Sequence, residues 1–404
     1  MPADRRLERY LDHAATSPPR PEVTAAVREA MEVTFGNPSS LHRKGLEAER
    51  ALTRAREEVA GAVGAGPGEI VFTSGGTESN NLAIRGALRG LDRRGRHLIT
   101  TAVEHPAVLS VARDLEQDGY RLTVLAPDAR GVISVDDLGR ALAPDTVLVS
   151  IMAVNNEVGS IQPIAEAARL LGEERTKGPR PVLHVDAAQA LGRIPLNVGE
   201  LGADLVSFSA HKLGGPKGVG ALYVKRGTPL RPLLAGGGQE GGLRSGTENV
   251  PAIAGFGVAA HLAAEELPAV MAELAGLRHR LTQAVREQIP GSRLNGPPGG
   301  EPAAGLARPG TAAPHIVNFS FPGAPGEVLL HYLEEEGIYV STGAACSSRK
   351  RGRSHVLEAM GLAPEEIDGA IRVSLGPRTT AADVDALVEA LARALADIRR
   401  FTRR

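Results

Sequence analysis

Seven short apolar runs, rich in β-branched residues, recur between residues 69 and 225, most of them separated by stretches with helical periodicity. They are EIVFT (69–73), HLITT (97–101), LTVLA (122–126), TVLVSI (146–151), PVLHVDA (181–187), DLVSFS (204–209) and GALYVK (220–225). Strands apolar on both faces and joined through helices belong to a mostly parallel sheet covered on both sides. The last two runs lie too close together for a helical crossover, so one antiparallel strand is expected. The pattern therefore predicts an α/β fold whose large domain spans 21–265 around a mostly parallel seven-stranded sheet.

Beyond about residue 265 the texture changes. A helical segment (Glu273 to Gln288) leads into the Pro/Gly-rich stretch 291–314, which has little to bury and is expected to be an exposed loop. A strand (HIVNFSF), a helix, a second strand (GIYVST) and a closing helix follow. Thr380 and Asp383 form a capping-box pattern, and Val384, Leu387, Val388, Leu391, Leu395 and Ile398 then share one helical face. Residues 266–404, together with 1–20, are expected to form a smaller α+β domain.

The chain has 404 residues, 42% of them hydrophobic, enough for a large core or for two lobes. A formal net charge of −1 supplies no global field for nucleic acid or anionic membranes, so neither partner is expected. One cysteine, Cys346, excludes an internal disulfide and a Cys-cluster metal site. Charged residues occupy the start, where a signal peptide needs an apolar core, and the mild stretch Asn249 to Ala264 is too short to span a bilayer. A cytoplasmic setting is expected. The eleven histidines lack ligand spacing, so no metal is expected. Gly236, Gly238 and Gly241 match G-x-G-x-x-G, but no helical pattern opens there, which removes its meaning as a nucleotide site.

Four segments carry chemistry. In EIVFTSGGTESNN a strand runs into Gly75, Gly76 and Thr77, a turn that can offer backbone N–H groups and a helix dipole to a phosphate. Taken alone, an ordinary strand–turn–helix corner explains it better. In HVDAAQ, His184 and Asp186 point to one side of a strand, with Asp186 at the carboxyl end where open α/β sheets bind ligands. Such a carboxylate needs a cationic partner, which a protonated pyridine nitrogen supplies; a helix cap or ion pair explains it equally well. In SFSAHKLGGPKG, Lys212 follows an apolar strand between Ser209, His211 and glycines. With six Lys against forty Arg in the chain, that neighbourhood favours a Schiff-base nucleophile over a solvated loop lysine. In STGAACSS, Cys346 sits among small residues before Arg349, Lys350, Arg351 and Arg353, a basic setting that favours thiolate and suggests a reactive cysteine.

A phosphate cup, a carboxylate for a pyridinium nitrogen, a lysine and a cysteine, in that order, resemble the cysteine desulfurases of the NifS/IscS type. These are fold-type I pyridoxal-phosphate transferases related to class V aminotransferases. The resemblance covers nearly the whole chain and rests on YLDHAATSP, FGNPSSLHRKG, FTSGGTESNNLAI, EHPAVL, NNEVGSIQPI, HVDAAQALGR, SFSAHKLGGPKGVGALY, GGGQEGGLRSGTEN, VSTGAACSS, SHVLEAMG and IRVSLGPRTT. It implies pyridoxal 5'-phosphate as cofactor, carried by Lys212, with Asp186 at the pyridine nitrogen and Gln189 and Asn156 at the ring hydroxyl. It places Gly76, Thr77, Ser209 and His211 at the phosphate, with Thr247 reaching across from the second subunit of a homodimer. His105 would stack on the ring and move protons, and Arg372 and Asn37 would bind the substrate.

The implied reaction takes sulfur from L-cysteine, leaving L-alanine and a persulfide on Cys346 for a sulfur-acceptor protein. Iron–sulfur cluster assembly, tRNA thiolation, DNA phosphorothioation and other biosynthesis are all compatible destinations. A selenocysteine lyase shares the fold, a class V aminotransferase needs Lys212 but not Cys346, and a non-catalytic sulfur carrier would have no reason to keep Lys212, Asp186 and His105 together.

Overall fold

The protein is described here from a computed structural model covering residues 8–173, 180–299, 308–342 and 352–402. Cys346 and its basic flank from Arg349 to Arg351 lie outside the described residues. Twelve strands are formed within them: β1 (Arg9–Tyr10), β2 (Ile70–Thr73), β3 (His97–Thr101), β4 (Arg121–Leu125), β5 (Thr146–Met152), β6 (Val182–Asp186), β7 (Leu205–Ser209), β8 (Gly220–Val224), β9 (Arg293–Asn295), β10 (Ile316–Ser320), β11 (Ile338–Tyr339) and β12 (Ala370–Ser374).

The seven expected runs build one sheet in the order β2-β8-β7-β6-β5-β3-β4. Strand β8 is antiparallel to both neighbours, and the other pairings are parallel. The expected antiparallel strand is therefore β8, joined to β7 by the short connection that carries Lys212. Alternate residues of each strand feed opposite faces, as a pleated strand requires. Val149, Ile151, Leu183, Val185, Val206 and Phe208 enter one core, whereas Leu148, Val182, Leu205 and Leu222 enter another beneath the helices Gly76–Gly90 and Pro106–Gln117.

A second set of strands, β12-β10-β9, is antiparallel, and short β1 pairs with β11 in parallel. Their core includes Val317, Phe319, Ile371 and Val373. The closing helix Ala381–Thr402 buries Val384, Leu387, Val388, Leu391, Leu395 and Ile398 against it. Its capping box forms as expected: Thr380 N donates to Asp383 (2.8 Å) and Asp383 N to Thr380 Oγ1 (3.3 Å).

Two expectations change. The stretch 291–314 is not wholly an exposed loop: Arg293–Asn295 pairs with β10, and buried Asn295 donates to Asn318 Oδ1 and Ser320 Oγ. The helix expected from Glu273 begins at Val250 and runs to Gln288, with Pro268 inside it. Its first half packs Ile253, Phe256 and Ala260 into the large-sheet core, and its second half packs Leu274, Leu277 and Leu281 into the other. We propose the domain division at 265/266 on this change of partner within one helix. Among the described residues, no helix is long and apolar enough to cross a membrane.

Candidate active site

Open α/β sheets place ligands at the carboxyl ends of their strands, and a cavity of 480 Å³ opens there, lined by residues of both lobes. Strand β2 delivers the turn before the helix Gly76–Gly90. Gly75 has φ 152°, a region favouring glycine, and a Cβ placed on Gly220 of β8 would lie 2.7 Å from the Gly75 Cα. The turn is thus pressed against β8, and Gly76 and Thr77 at the positive end of the helix line the cavity with Ser209 and His211. Burial first, then the charges of Lys212 and Lys217, lower His211 to about 4, so its ring is neutral at pH 7. Its Nδ1 lies 3.2 Å from Thr16 Oγ1.

Asp186 ends β6 and is 5% exposed. Its carboxylate is held by neutral donors, Asn80 Nδ2 at 2.7 Å and Ala188 N at 3.0 Å. His184, two residues earlier, is buried between Ser150 Oγ (2.8 Å) and Ser207 Oγ (2.9 Å), and burial lowers it to about 4. It is a neutral strut of the sheet and does not line the cavity.

Lys212 lies in the single turn Ala210–Leu213. Its Nζ donates to Ala14 O (2.5 Å) and Ala15 O (2.8 Å). Gln189 Nε2 donates to the same Ala14 carbonyl at 2.9 Å. His105 caps the helix Pro106–Gln117, with Nδ1 accepting from Ala107 N at 3.0 Å, so Nε2 carries the proton of the neutral ring. Burial is the main cause of its lowered pKa, opposed by Asp186 and reinforced by Lys212 and His355.

Arg372, on β12, is buried. Nη1 donates to Asn156 O (3.0 Å) and Nη2 to Asp12 Oδ1 (2.7 Å), while Nε has no partner among the described residues. An unpaired buried guanidinium donor at the cavity wall suits an incoming carboxylate.

The cavity thus gathers Gly76, Thr77, His105, Asn156, Asp186, Gln189, Ser209, His211, Lys212 and Arg372, all expected at the site. It does not gather Asn37 or Thr247, which are exposed; Asn37 Oδ1 accepts from Ser39 N instead (2.9 Å). Asn80, Glu157, Ser354 and His355, to which the sequence gave no role, also line the cavity, and buried Glu104 stands beside His105 in the chain without lining it. Asn80 braces Asp186 from one turn beyond Thr77. Buried Glu104 accepts from Thr101 Oγ1 (2.9 Å) and Met152 N (2.7 Å); its Oε2 has no partner, and burial, then Asp186, raises it to about 8. His355 Nε2 donates to Glu104 O (2.9 Å), and Ser354 Oγ donates to Glu157, whose carboxyl is raised by burial. The segments EHPAVL, NNEVGSIQPI and SHVLEAMG held Glu104, Glu157 and His355, so their place in shared motifs was the available signal.

The family model for Aminotransferase class-V matches residues 9–387. The chain belongs to that family. It is similar to cysteine desulfurase IscS of Dictyoglomus turgidum, 45% identical over 98% of this chain and 96% of that protein. Among solved structures, a NifS-like protein superposes with TM-score 0.87 at 37% identity, covering 96% of this chain and 100% of the other. The structure of SspA in complex with cysteine superposes with TM-score 0.75 at 35% identity, covering 92% and 100%. The fold-type I architecture and the desulfurase resemblance expected from the motifs both hold.

The family's cofactor is pyridoxal 5'-phosphate, and the residues present fit it. A buried carboxylate with neutral donors has room for a pyridinium N–H, a glycine-gated helix start suits a phosphate, and an amine lies on the same cavity wall.

Proposed function

We propose that this protein removes sulfur from L-cysteine, releasing L-alanine and leaving a persulfide on Cys346 for transfer to an acceptor protein. The observation that carries this reading is the convergence of Lys212, Asp186, His105 and Arg372 on one cavity, with Arg372 Nε unpaired. Gly76, Thr77, Ser209 and His211 would hold the cofactor phosphate, Asp186 its ring nitrogen, and Gln189 and Asn156 its ring hydroxyl. When bound, the cofactor supplies an electron sink for the pair left at the substrate Cα.

The chain's own groups do the rest. Arg372 orients the substrate carboxylate. The Nζ of Lys212 takes the Cα proton, and neutral His105 can donate from Nε2. The Cys346 thiolate attacks the substrate sulfur; an S–S bond forms, the Cβ–S bond breaks with its electron pair passing to the carbon skeleton, and Cβ takes up a proton. Cysteine and one enzyme thiol thereby yield alanine and one enzyme persulfide, with no outside oxidant. A lone thiol used in this way suits the reducing cytoplasm.

The homodimer belongs to this proposal. Met31 and Phe35 are each 64% exposed, with Val33, Leu41 and Leu46 also exposed nearby in sequence, apolar area that a second copy would cover. Thr247, away from this chain's cavity, would serve the partner's site.

The test is incubation of purified protein with cysteine, measuring alanine, sulfide and protein-bound sulfane sulfur. Wild type is expected to form alanine in step with persulfide, and Cys346→Ala to keep its bound cofactor while losing both. Full sulfide release by Cys346→Ala would refute the persulfide role, and transamination of a keto acid without sulfide would replace the reading with an aminotransferase.

A further inference from the structure

Lys212 is gripped at both ends by parts of the molecule distant in sequence. Its amine is held by the carbonyls of Ala14 and Ala15 (2.5 and 2.8 Å). Its main-chain carbonyl accepts from Ser17 Oγ (3.1 Å) and from Arg193 Nη2 (3.0 Å). Ser17 is the hub between them. It accepts from Arg193 Nη2 at 3.3 Å, its N–H donates to His211 O at 2.9 Å, and its hydroxyl meets His13 Nδ1 at 3.1 Å. Because the Ser17 hydroxyl hydrogen goes to Lys212 O, His13 must donate through Nδ1. The other end of this strap is tied to β12, with Ala14 N donating to Ser374 Oγ at 2.9 Å.

Arg193 is 5% exposed, and its bonds run to Gly192 O, Lys212 O and Ser17 Oγ, all neutral. A buried guanidinium facing neutral acceptors is costly, and an apolar side chain of similar length would pack at lower cost. A role that needs its donors at the Lys212 carbonyl and Ser17 accounts for its presence. One terminal nitrogen, Nη2, reaches the Lys212 carbonyl and the Ser17 hydroxyl together, while Nη1 is held by Gly192 O.

We propose that Arg193 is a positioning residue for Lys212, fixing the lysine backbone from below while the strap it braces holds the amine from the side. This rests on the reading of Lys212 as the cofactor-bearing amine. Arg193 touches neither cavity nor substrate. Its effect is on where the Nζ stands, and misplacement by about an ångström carries up to about a hundredfold in rate.

The experiment compares wild type, Arg193→Met, Arg193→Lys and Ser17→Ala as full-length proteins. Each is stripped of cofactor, mixed with pyridoxal phosphate, and followed by growth of the visible band of the lysine-bound form. Borohydride trapping and peptide mass mapping then locate the attachment. Arg193→Met is expected to attach cofactor at Lys212 about ten- to a hundredfold more slowly, with kcat reduced in proportion and KM for cysteine within about twofold. Arg193→Lys, which restores one donor, should recover part of the attachment rate. Ser17→Ala should slow attachment in the same sense and keeps the test open if Arg193→Met fails to fold. Attachment rates and kcat within twofold of wild type in Arg193→Met, or in Ser17→Ala where Arg193→Met fails to fold, would overturn the grip while leaving Lys212 as anchor. Trapping of the wild-type adduct on another lysine would sink the anchor assignment and the proposal with it.

Discussion

The brace on Asp186 offers the cleanest perturbation, because Asn80 contributes one bond and nothing else polar. Its Nδ2 donates to Asp186 Oδ2 at 2.7 Å, while its own Oδ1 has no partner among the described residues. Asn80→Ala therefore deletes a single hydrogen bond to a buried carboxylate and leaves the other, from Ala188 N, in place. Hydrogen bonds to charged groups contribute about 1.5–3 kcal/mol. At about 1.4 kcal/mol per decade, loss of this bond corresponds to roughly ten- to a hundredfold in an equilibrium that depends on it.

The direction follows from the chemistry. A carboxylate that loses a donor is held less firmly in place, so the pairing proposed for it with a protonated ring nitrogen weakens and the electron sink becomes poorer. A bound pyridinium would itself replace part of what was lost, which puts the expected fall in kcat at the lower end, about tenfold. KM for cysteine should hold within about twofold, because Arg372 and the phosphate cup are untouched. The assay is steady-state alanine formation on protein whose cofactor content has been measured. Asn80→Asp, which sets a second carboxylate against Asp186 Oδ2, should be worse than alanine. If Asn80→Ala retains kcat within a factor of two at full cofactor occupancy, Asp186 does not depend on this brace and the account of the ring-nitrogen site is wrong.

Three further outcomes are expected. Glu104 sits near 8 in the folded protein against an ordinary 4.5, so the folded state holds a proton that the unfolded state releases between those values. The contribution of Glu104 to the stability of the cofactor-free protein should therefore decline as pH rises from about 4.5 to 8, by at most about 1.4 kcal/mol per unit, set against the opposite contributions of His184 and His211 below about 6.5. Glu104→Gln should flatten that decline, and denaturant midpoints at pH 5, 6.5 and 8 that run parallel to wild type would refute it. Arg372→Lys loses the fork that meets Asn156 O, Asp12 and the substrate, so KM for cysteine should rise about tenfold or more with a smaller change in kcat; an unchanged KM would remove Arg372 from the carboxylate site. Phe35→Asp places a charge in the exposed apolar segment and should shift the protein from dimer to monomer in light scattering, whereas an intact dimer would locate the interface elsewhere.

What could be read from the chain follows from the range of the interactions involved. Strands β2, β3 and β5 to β8 announced themselves because a buried strand is an unbroken apolar run, and edge strand β4 kept an apolar run although Arg121 and Val124 are exposed. Gly76, Asp186 and Lys212 were legible because each stands at or just past the end of such a run. Asn80 and Asp186, by contrast, are 106 positions apart, Lys212 and Ala14 198, and Arg372 and Asp12 360. No local pattern encodes those pairs. The first half of the helix Val250–Gln288 was obscured for a different reason: with Ile253, Phe256, Gly257 and Ala260 all buried it lacks a polar face, so it has little helical periodicity to read. Arg293–Asn295 was hidden by its setting, three residues of strand inside a Pro/Gly-rich stretch. Thr247, proposed to serve a partner's site, would depend on a neighbour that one chain does not contain.

Two side chains at the cavity wall are buried with a polar atom unsatisfied, Asn80 at Oδ1 and Arg372 at Nε. Each unsatisfied buried group costs about 1–3 kcal/mol, a considerable fraction of a domain's net stability. Folding alone gives no reason to keep either, since Leu at 80 or Met at 372 would fill space without the penalty. Their retention makes sense when the cost is offset on loading, through Asp186 and the ring nitrogen for Asn80 and through a substrate carboxylate for Arg372. Asp12 shows how the penalty is limited in the meantime. It neutralises Arg372 through Nη2 alone and leaves buried Nε unbonded, and it belongs to the same strap whose Ala14 and Ala15 carbonyls hold the Lys212 amine. Arg372 and Lys212, the groups proposed to hold the substrate carboxylate and the cofactor, are thus tied to one short segment, residues 12–17, so that segment sets the distance between them.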